Sequence, residues 1–88
     1  MSNSGNEISV RERLPAGTQC LDPEFFDAAI LGYSFNKGGS VSVVYSAEVC
    51  IDLMKRNLGI DTEEASNGLA FVAREFVGAA PVFVWGLD

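Results

Sequence analysis

The chain contains no histidine and only two cysteines, Cys20 and Cys50, among its 88 residues. Without histidine, neither a Ser-His-Asp triad nor a Cys-His pair can form, so acid–base chemistry would fall to carboxylates, lysine, tyrosine or cysteine. Two widely separated cysteines match neither a zinc-site spacing nor a disulfide scaffold. We therefore expect no metal ion and no cofactor. Cys50 is expected to be a buried thiol, and pairing of Cys20 with Cys50 stays open.

Basic residues and long apolar runs are also scarce. Six basic residues stand against twelve acidic ones, giving a net charge of −6 that repels a phosphate backbone. We therefore expect no direct binding to nucleic acid. No apolar run approaches the roughly 20 residues that span a bilayer, and no basic-then-apolar signal order begins the chain. The expectation is a cytoplasmic protein without membrane contact.

Motifs for common enzyme chemistry are missing as well. No GxGxxG or GK[ST] sequence occurs, so dinucleotide and triphosphate binding have no motif to support them. Glu48 and Asp52 are four residues apart on a predicted helix, a spacing that could bring two carboxylates together. We favour a solvated helix face instead, on which Asp52 pairs with Lys55 or Arg56, because exposed carboxylates are abundant on helices. We predict that the protein is not an enzyme.

The apolar content, 48% of residues with 10% aromatic, is that of a folded chain, and its length allows one domain. Residues 1–24 are polar and interrupted by proline and glycine, which predicts a flexible N-terminal arm. Residues 25–88 are predicted to form a single α+β domain. Leu21, Phe25 and Phe26 are apolar enough that they should pack onto it.

Three strands are predicted. The apolar run from Asp27 to Phe35 is typical of a central strand with both faces covered. A glycine-rich turn follows, and the alternation from Ser40 to Tyr45 completes a β-hairpin. The segment Pro81–Trp85 predicts a final strand.

Two helices are predicted between the second and third strands. The first runs from about Ala47 to Asn57, capped by Ser46 and ended by Gly59. The second runs from about Thr62 to Val77, with Asp61 or Thr62 as its cap and Glu64 closing a capping box. Gly68 within it predicts close packing of a neighbour.

The order strand, strand, helix, helix, strand predicts an α+β fold in which a helical hairpin covers one face of a three-stranded antiparallel sheet. Because the run ending at Phe35 is the most continuously apolar, we expect that strand in the middle. The opposite face of the sheet would then need the N-terminal arm, a second subunit or another partner to cover it.

Surplus apolar side chains are expected on that uncovered face and on the second helix. Tyr33 and Phe35 alternate away from Ile30, as Phe83 and Trp85 alternate away from their valine neighbours. Phe71 lies opposite the core face of its helix, beside Asn67 and Arg74. Exposed apolar patches usually mark interfaces. The candidate interface residues are Tyr33, Phe35, Asn67, Phe71, Arg74, Phe83 and Trp85.

Six short motifs occur in order along the chain: Asp27-Ala28-Ala29-Ile30-Leu31-Gly32, Val43-Val44-Tyr45-Ser46, Cys50-Ile51-Asp52-Leu53-Met54, Thr62-Glu63-Glu64-Ala65, Val77-Gly78 and Pro81-Val82-Phe83. Together they resemble a widespread group of small uncharacterised phage and prokaryotic proteins. The resemblance covers residues 27–84 and implies a phage or prophage accessory protein without a defined activity. Members of that group often carry an asparagine followed by a Gly-Ala pair late in the second helix, where this chain has Val72-Ala73-Arg74-Glu75-Phe76. A polar role of that asparagine is therefore in doubt here.

These observations favour a small non-enzymatic accessory or modulator protein that acts through protein–protein interaction, binds a host or phage protein and forms a homo-oligomer. The alternative is a sponge for a small ligand or nucleotide, with a pocket at an oligomer interface lined by Tyr33, Tyr45, Arg74 and Trp85. The sequence leaves open the partner, the ligand, the oligomeric state, the biological process and whether residues 1–24 become ordered.

Overall fold

The computed structural model describes residues 10–76 and 78–86. The strands are β1 (Ile30–Phe35), β2 (Val41–Ser46) and β3 (Val82–Val84), and the helices are α1 (Ala47–Leu58) and α2 (Thr62–Glu75). The predicted α+β class, with three strands and two helices, is confirmed. The element order differs from the prediction in three short 3-10 helices, Val10–Arg13, Glu24–Ala29 and Lys37–Gly39. Residues 1–9 of the arm, Val77 and the last two residues of the domain lie outside the described residues.

The sheet is mixed, with the order β1-β2-β3. β1 and β2 pair antiparallel through the hairpin, whereas β3 pairs parallel to β2. The predictions of a purely antiparallel sheet and of a central first strand are therefore wrong. A parallel neighbour requires a crossover connection, and the α1–α2 pair supplies it by returning the chain to the end of the sheet where β2 begins.

The apolar run that was predicted to form a strand from Asp27 is divided between two elements. Its first part belongs to the 3-10 helix Glu24–Ala29, in which the Phe26 amide donates to the Pro23 carbonyl at 3.2 Å. Asp27 then lies 2.6 Å from Arg11, as an ion pair between side chains. The strand begins only at Ile30, so the first half of the run packs as a helical turn against α1.

A β-bulge changes which face the residues of β1 occupy. Ile30 lies opposite Tyr45 and Tyr33 opposite Val43, with an irregularity between Ile30 and Gly32. One extra residue reverses the alternation, so Tyr33 returns to the face that carries Ile30. The prediction that Tyr33 points away from Ile30 is therefore wrong.

The predicted starts of both helices and the end of α1 at Gly59 are confirmed, whereas the prediction that the second helix reaches Val77 is wrong, because α2 ends at Glu75 and Phe76 has extended backbone angles. The Ser46 hydroxyl accepts the Val49 amide at 3.3 Å, and Gly59, with φ of 68°, ends α1. At α2 the carboxylate of Asp61 accepts the Glu64 amide at 2.8 Å. The Glu64 side chain accepts the Asp61 amide in return, which completes the capping box and identifies Asp61 as the cap.

The core lies between the helices and the sheet face that carries Val43 and Tyr45. Its buried apolar residues come from the segment before β1, from β2 and from both helices: Leu21, Phe26, Ala29, Val43, Tyr45, Ala47, Cys50, Ile51, Met54, Ala65 and Leu69. A Cβ atom on Gly68 would lie 3.1 Å from the end of the Met54 side chain, which confirms the predicted close approach of the helices.

Leu21 belongs to this core although it lies within the predicted arm, and Phe26 is buried beside it. Phe25 is half-buried and stacks on Phe26, with ring centroids 4.6 Å apart. The expected packing of these three side chains is therefore present, while the flexibility of the rest of the arm stays a prediction. Within the described ranges, neither helix is long and apolar enough to cross a bilayer.

Candidate functional site

An apolar groove runs between α2 and the end of the chain that contains β3. It encloses about 180 Å³. Helix α2 forms one wall and two aromatic side chains form the other: the lining residues are Ser66, Leu69, Ala70, Ala73, Phe83 and Trp85.

Three of the four α2 residues that line the groove have small side chains. Ser66, Ala70 and Ala73 are spaced by four and three residues, so they share one side of α2. Small side chains on a helix allow another chain to approach the helix backbone closely. This stripe of small residues was not predicted from the sequence. The only signal for it is the helical spacing of small residues beside the core positions Leu69 and Val72.

The two aromatic residues of the other wall differ in burial. Phe83 lies opposite Tyr45 in the parallel register and its ring centroid is 5.8 Å from that of Tyr45, so it is partly a core residue. Trp85 is 57% exposed. Trp85 directly follows β3 and lines the groove together with Phe83 and the residues of α2.

A carboxylate from α1 holds the backbone just beyond Trp85. Both oxygens of Glu48 accept the Gly86 amide, at 3.0 and 2.9 Å. This contact ties the residue after the tryptophan to the first turn of α1. Sequence reasoning assigned Glu48 to a solvated helix face and missed this role, which depends on the distant segment after β3.

The predicted residues of α2 form an exposed stripe next to the groove. Phe71 is 59% exposed, and Asn67 and Arg74 are exposed at one turn before it and one turn after it. These three residues directly follow Ser66, Ala70 and Ala73, which line the groove. They therefore form the stripe of the helix surface next to the groove. Asn67, Phe71 and Arg74 are therefore neighbours of the helix wall of the groove, and Phe83 and Trp85 line its other wall.

Tyr33 and Phe35 lie elsewhere, on the edge strand β1. They are 44% and 68% exposed, and their rings meet edge to face with centroids 5.6 Å apart. Because β2 separates β1 from β3, these two residues and the groove residues lie at opposite edges of the sheet. The seven predicted interface residues therefore form two surfaces, not one.

The expected uncovered aromatic face is also absent from the described sheet. By register, the face away from the helices carries small and short side chains: Gly32, Ser34, Ser42, Val44, Val82 and Val84. On this face the side-chain amide of Asn36 donates a hydrogen bond to the Ser42 hydroxyl at 2.9 Å. By register, Tyr33, Phe35 and Phe83 lie instead on the helix side, where Phe83 packs against the core.

Reactive groups show no sign of a catalytic cluster within the described residues. Both cysteines are free thiols, and burial raises the pKa of Cys50 to about 12 and that of Cys20 above its ordinary value. Asp52 pairs with Arg56, as predicted for a solvated helix face. No group of three or more potential metal ligands occurs in residues 10–76 and 78–86.

The pocket expected for a small-ligand sponge is not assembled within one described chain. Tyr45 is completely buried, and its hydroxyl accepts the Leu21 amide at 2.8 Å. Tyr33 lies on β1, across the sheet from Trp85. A shared pocket would therefore need a second copy and could not include the Tyr45 side chain.

Comparisons with protein-family models, with curated proteins and with solved structures gave no match. The resemblance to small phage and prokaryotic proteins therefore stays a prediction.

Proposed function

We propose that this chain is a small non-enzymatic protein-interaction module that binds a partner protein through the α2–β3 groove and also self-associates. The observation that carries the proposal is Trp85, which is 57% exposed beside an apolar groove. Residue Gly86, directly after it, is held by Glu48.

The chemistry of the groove favours an apolar segment of another protein as its ligand. Ala70 and Ala73 leave room for side chains to enter, and Trp85 offers a large apolar surface with one polar N–H. Tryptophan, tyrosine and arginine are enriched among the residues that dominate binding energy at protein interfaces. Arg74 and Asn67, both exposed, provide a polar rim beside Phe71.

The resemblance described above gives this proposal its biological setting. It implies an accessory or modulator protein of phage or prophage origin, whose partner would be a host or phage protein. A cytoplasmic location fits that setting and stays a prediction.

Affinity capture with the purified chain from a bacterial lysate, followed by direct titration of the captured protein, tests the proposal. We expect Trp85→Ala and Phe71→Ala each to weaken binding by roughly tenfold or more, since residues central to interfaces often contribute over 1 kcal/mol. Leu58→Ala is the matched control, because Leu58 is 53% exposed at the end of α1, outside the groove. Equal binding by all three variants would contradict the proposed site.

A thermal-shift screen separates this function from the ligand sponge. A ligand that binds only the folded state raises the melting temperature in proportion to its saturation. We expect nucleotides and cyclic dinucleotides to leave the melting temperature unchanged. A saturable rise that is lost in Arg74→Ala would instead support a nucleotide-binding function.

A further inference from the structure

Beyond the bulge between Ile30 and Gly32, the outer edge of β1 lacks the features that usually protect an edge strand. Natural edge strands carry charges, proline or covering segments that prevent pairing with another chain. The six residues of β1, Ile30–Phe35, include no charged residue and no proline. No backbone hydrogen bond from the rest of the described chain reaches this edge.

The hairpin shows which backbone groups point outward. The backbone amide of Asn36 donates a hydrogen bond to the Ser40 carbonyl at 2.7 Å, which makes these two residues a hydrogen-bonded pair. Such pairs alternate along an antiparallel ladder, so Ser34 and Ser42, two residues further on, form the next one. The amide and carbonyl groups of Tyr33 and Phe35 therefore face the open edge.

We propose that β1 pairs antiparallel with β1 of a second copy, joining two three-stranded sheets into one six-stranded sheet. The inference rests on the self-association included in the proposed function and assigns its location. A two-fold axis at Ser34 satisfies the outward-facing groups, because Tyr33 then exchanges hydrogen bonds with Phe35 of the second copy, and Phe35 with its Tyr33. The same register places each tyrosine beside a phenylalanine across the contact, a favourable cross-strand pair.

The absence of carboxylates from β1 limits the charge repulsion between two copies of this acidic chain at the edge. The net charge is −6, so two copies repel wherever acidic residues meet. The charged residues closest to β1 in the fold or the sequence include two basic ones. Arg13 lines a cavity of about 260 Å³ together with Leu31 and Tyr33, and Lys37 follows the strand in the turn. A contact along β1 therefore brings no carboxylate of the strand itself into the interface.

The available area sets the strength of this contact. Leu31, Tyr33 and Phe35 are 51%, 44% and 68% exposed. Since an aromatic side chain buries roughly 150–250 Å² in full, these three residues offer on the order of 300 Å² per copy. With the strand backbone added, the contact falls at the small end of specific interfaces, below roughly 1,200 Å² in total. We therefore expect a dimer with a dissociation constant in the micromolar range.

Sedimentation equilibrium across the micromolar range tests the pairing. We expect Tyr33→Lys and Phe35→Lys each to raise the dimer dissociation constant by roughly tenfold or more, because a lysine on an edge opposes strand pairing. Leu58→Lys places the same charge at an equally exposed leucine on α1 and should leave the dimer unchanged. Circular dichroism and thermal melting verify that each variant is folded.

A cysteine at the two-fold axis tests the register independently. Ser34 would lie opposite its own copy in a pair without mutual hydrogen bonds, where Cα atoms are about 4.5 Å apart, within disulfide range. In a Cys20→Ser background, Ser34→Cys should form a disulfide-linked dimer on mild oxidation much faster than Asn57→Cys, an exposed position on α1. Equal rates would overturn the register.

Three further outcomes separate the edge from the groove. A strictly monomeric chain whose Trp85-dependent capture persists would overturn the pairing while leaving the groove function standing. A dimer that survives both lysine variants would also overturn it. A dimer lost in these variants, combined with a chain that captures no protein, would support the pairing and contradict the groove function.

Discussion

At the scale of single residues, Tyr45 connects the N-terminal segment to the centre of the sheet. The side chain is completely buried, and its hydroxyl is the acceptor for the Leu21 amide. Burial raises the pKa of Tyr45 to about 12, and the hydrogen bond from Leu21 partly opposes that rise. One side chain therefore holds the segment before β1 in place and resists ionisation.

Replacing Tyr45 tests both properties. At neutral pH, Tyr45→Phe should lower the free energy of unfolding by about 1–3 kcal/mol, because it leaves a buried amide without its acceptor. The folded-state pKa lies above the unfolded value of about 10, so the stabilisation from a neutral Tyr45 is complete below pH 10 and is lost as the pH rises towards 12. Urea titrations between neutral and alkaline pH should therefore show a shallower alkaline decline for the variant.

The control for this measurement is Cys50, whose pKa is also raised to about 12 by burial and which contributes to the same alkaline decline. Cys50→Ala should flatten the part of the alkaline decline in the free energy of unfolding that begins near the unfolded thiol pKa of about 8.5. An alkaline decline that is identical in Tyr45→Phe and the parent chain would contradict the role assigned to the tyrosine.

At the scale of elements, both helices begin at a polar side chain that satisfies an amide of the first turn. Ser46 does so where β2 passes directly into α1, and Asp61 does so after the short connection that follows Gly59. Because the cap of α1 is also the last residue of β2, the direction of the helix is tied to the sheet.

Asp61 and Thr62 provide a direct comparison at the start of α2. Asp61→Ala should lower the free energy of unfolding by about 1 kcal/mol, because the Glu64 amide loses its acceptor and the capping box opens. Thr62→Ala should have little effect, since Thr62 is an exposed first residue of the helix. Thermal or urea unfolding of both variants measures the difference, and a larger loss in Thr62→Ala would contradict the assignment of the cap.

At the scale of the whole molecule, the protein has two apolar surfaces on opposite edges of one mixed sheet. We propose the groove beside β3 as the site for a partner protein and the open edge of β1 as the site for a second copy. Because β2 separates them, one surface can be occupied while the other stays accessible. A dimer formed through β1 would carry two grooves.

A dimer paired through β1 would have an unusual salt dependence because of the net charge. Two chains of charge −6 repel each other, and the proposed strand contact contains no ion pair. Raising the ionic strength from about 0.05 M to about 0.5 M shortens the screening length and should tighten the dimer several-fold. Sedimentation in buffers of increasing salt measures this change. Marked weakening by salt would show that the contact depends on ion pairs and would contradict pairing through β1.

Much of the local structure follows from neighbouring residues. The ends of α1, the capping box of α2 and the glycine turn between β1 and β2 each depend on hydrogen bonds within a few residues, so the residue types at those positions predict them. The exposure of Phe71 follows from helical periodicity for the same reason.

The candidate site was less predictable because it depends on contacts between distant segments. The groove needs the side of α2 that carries Ala70 to lie beside Trp85, and the contact between Glu48 and Gly86 joins α1 to the residues after β3. Neither pairing leaves a short-range pattern in the sequence.

The amino-acid sequence by itself determined the α+β class, the starts of both helices, the acidic charge and the surplus of aromatic side chains. Only the tertiary structure decided where those side chains lie. One extra residue in the bulge after Ile30 reversed the faces of Tyr33 and Phe35, and the two-helix crossover placed β3 parallel to β2. Both results follow from pairing between strands, in which a shift of one residue exchanges the two faces of a strand and the path of the connection sets its direction.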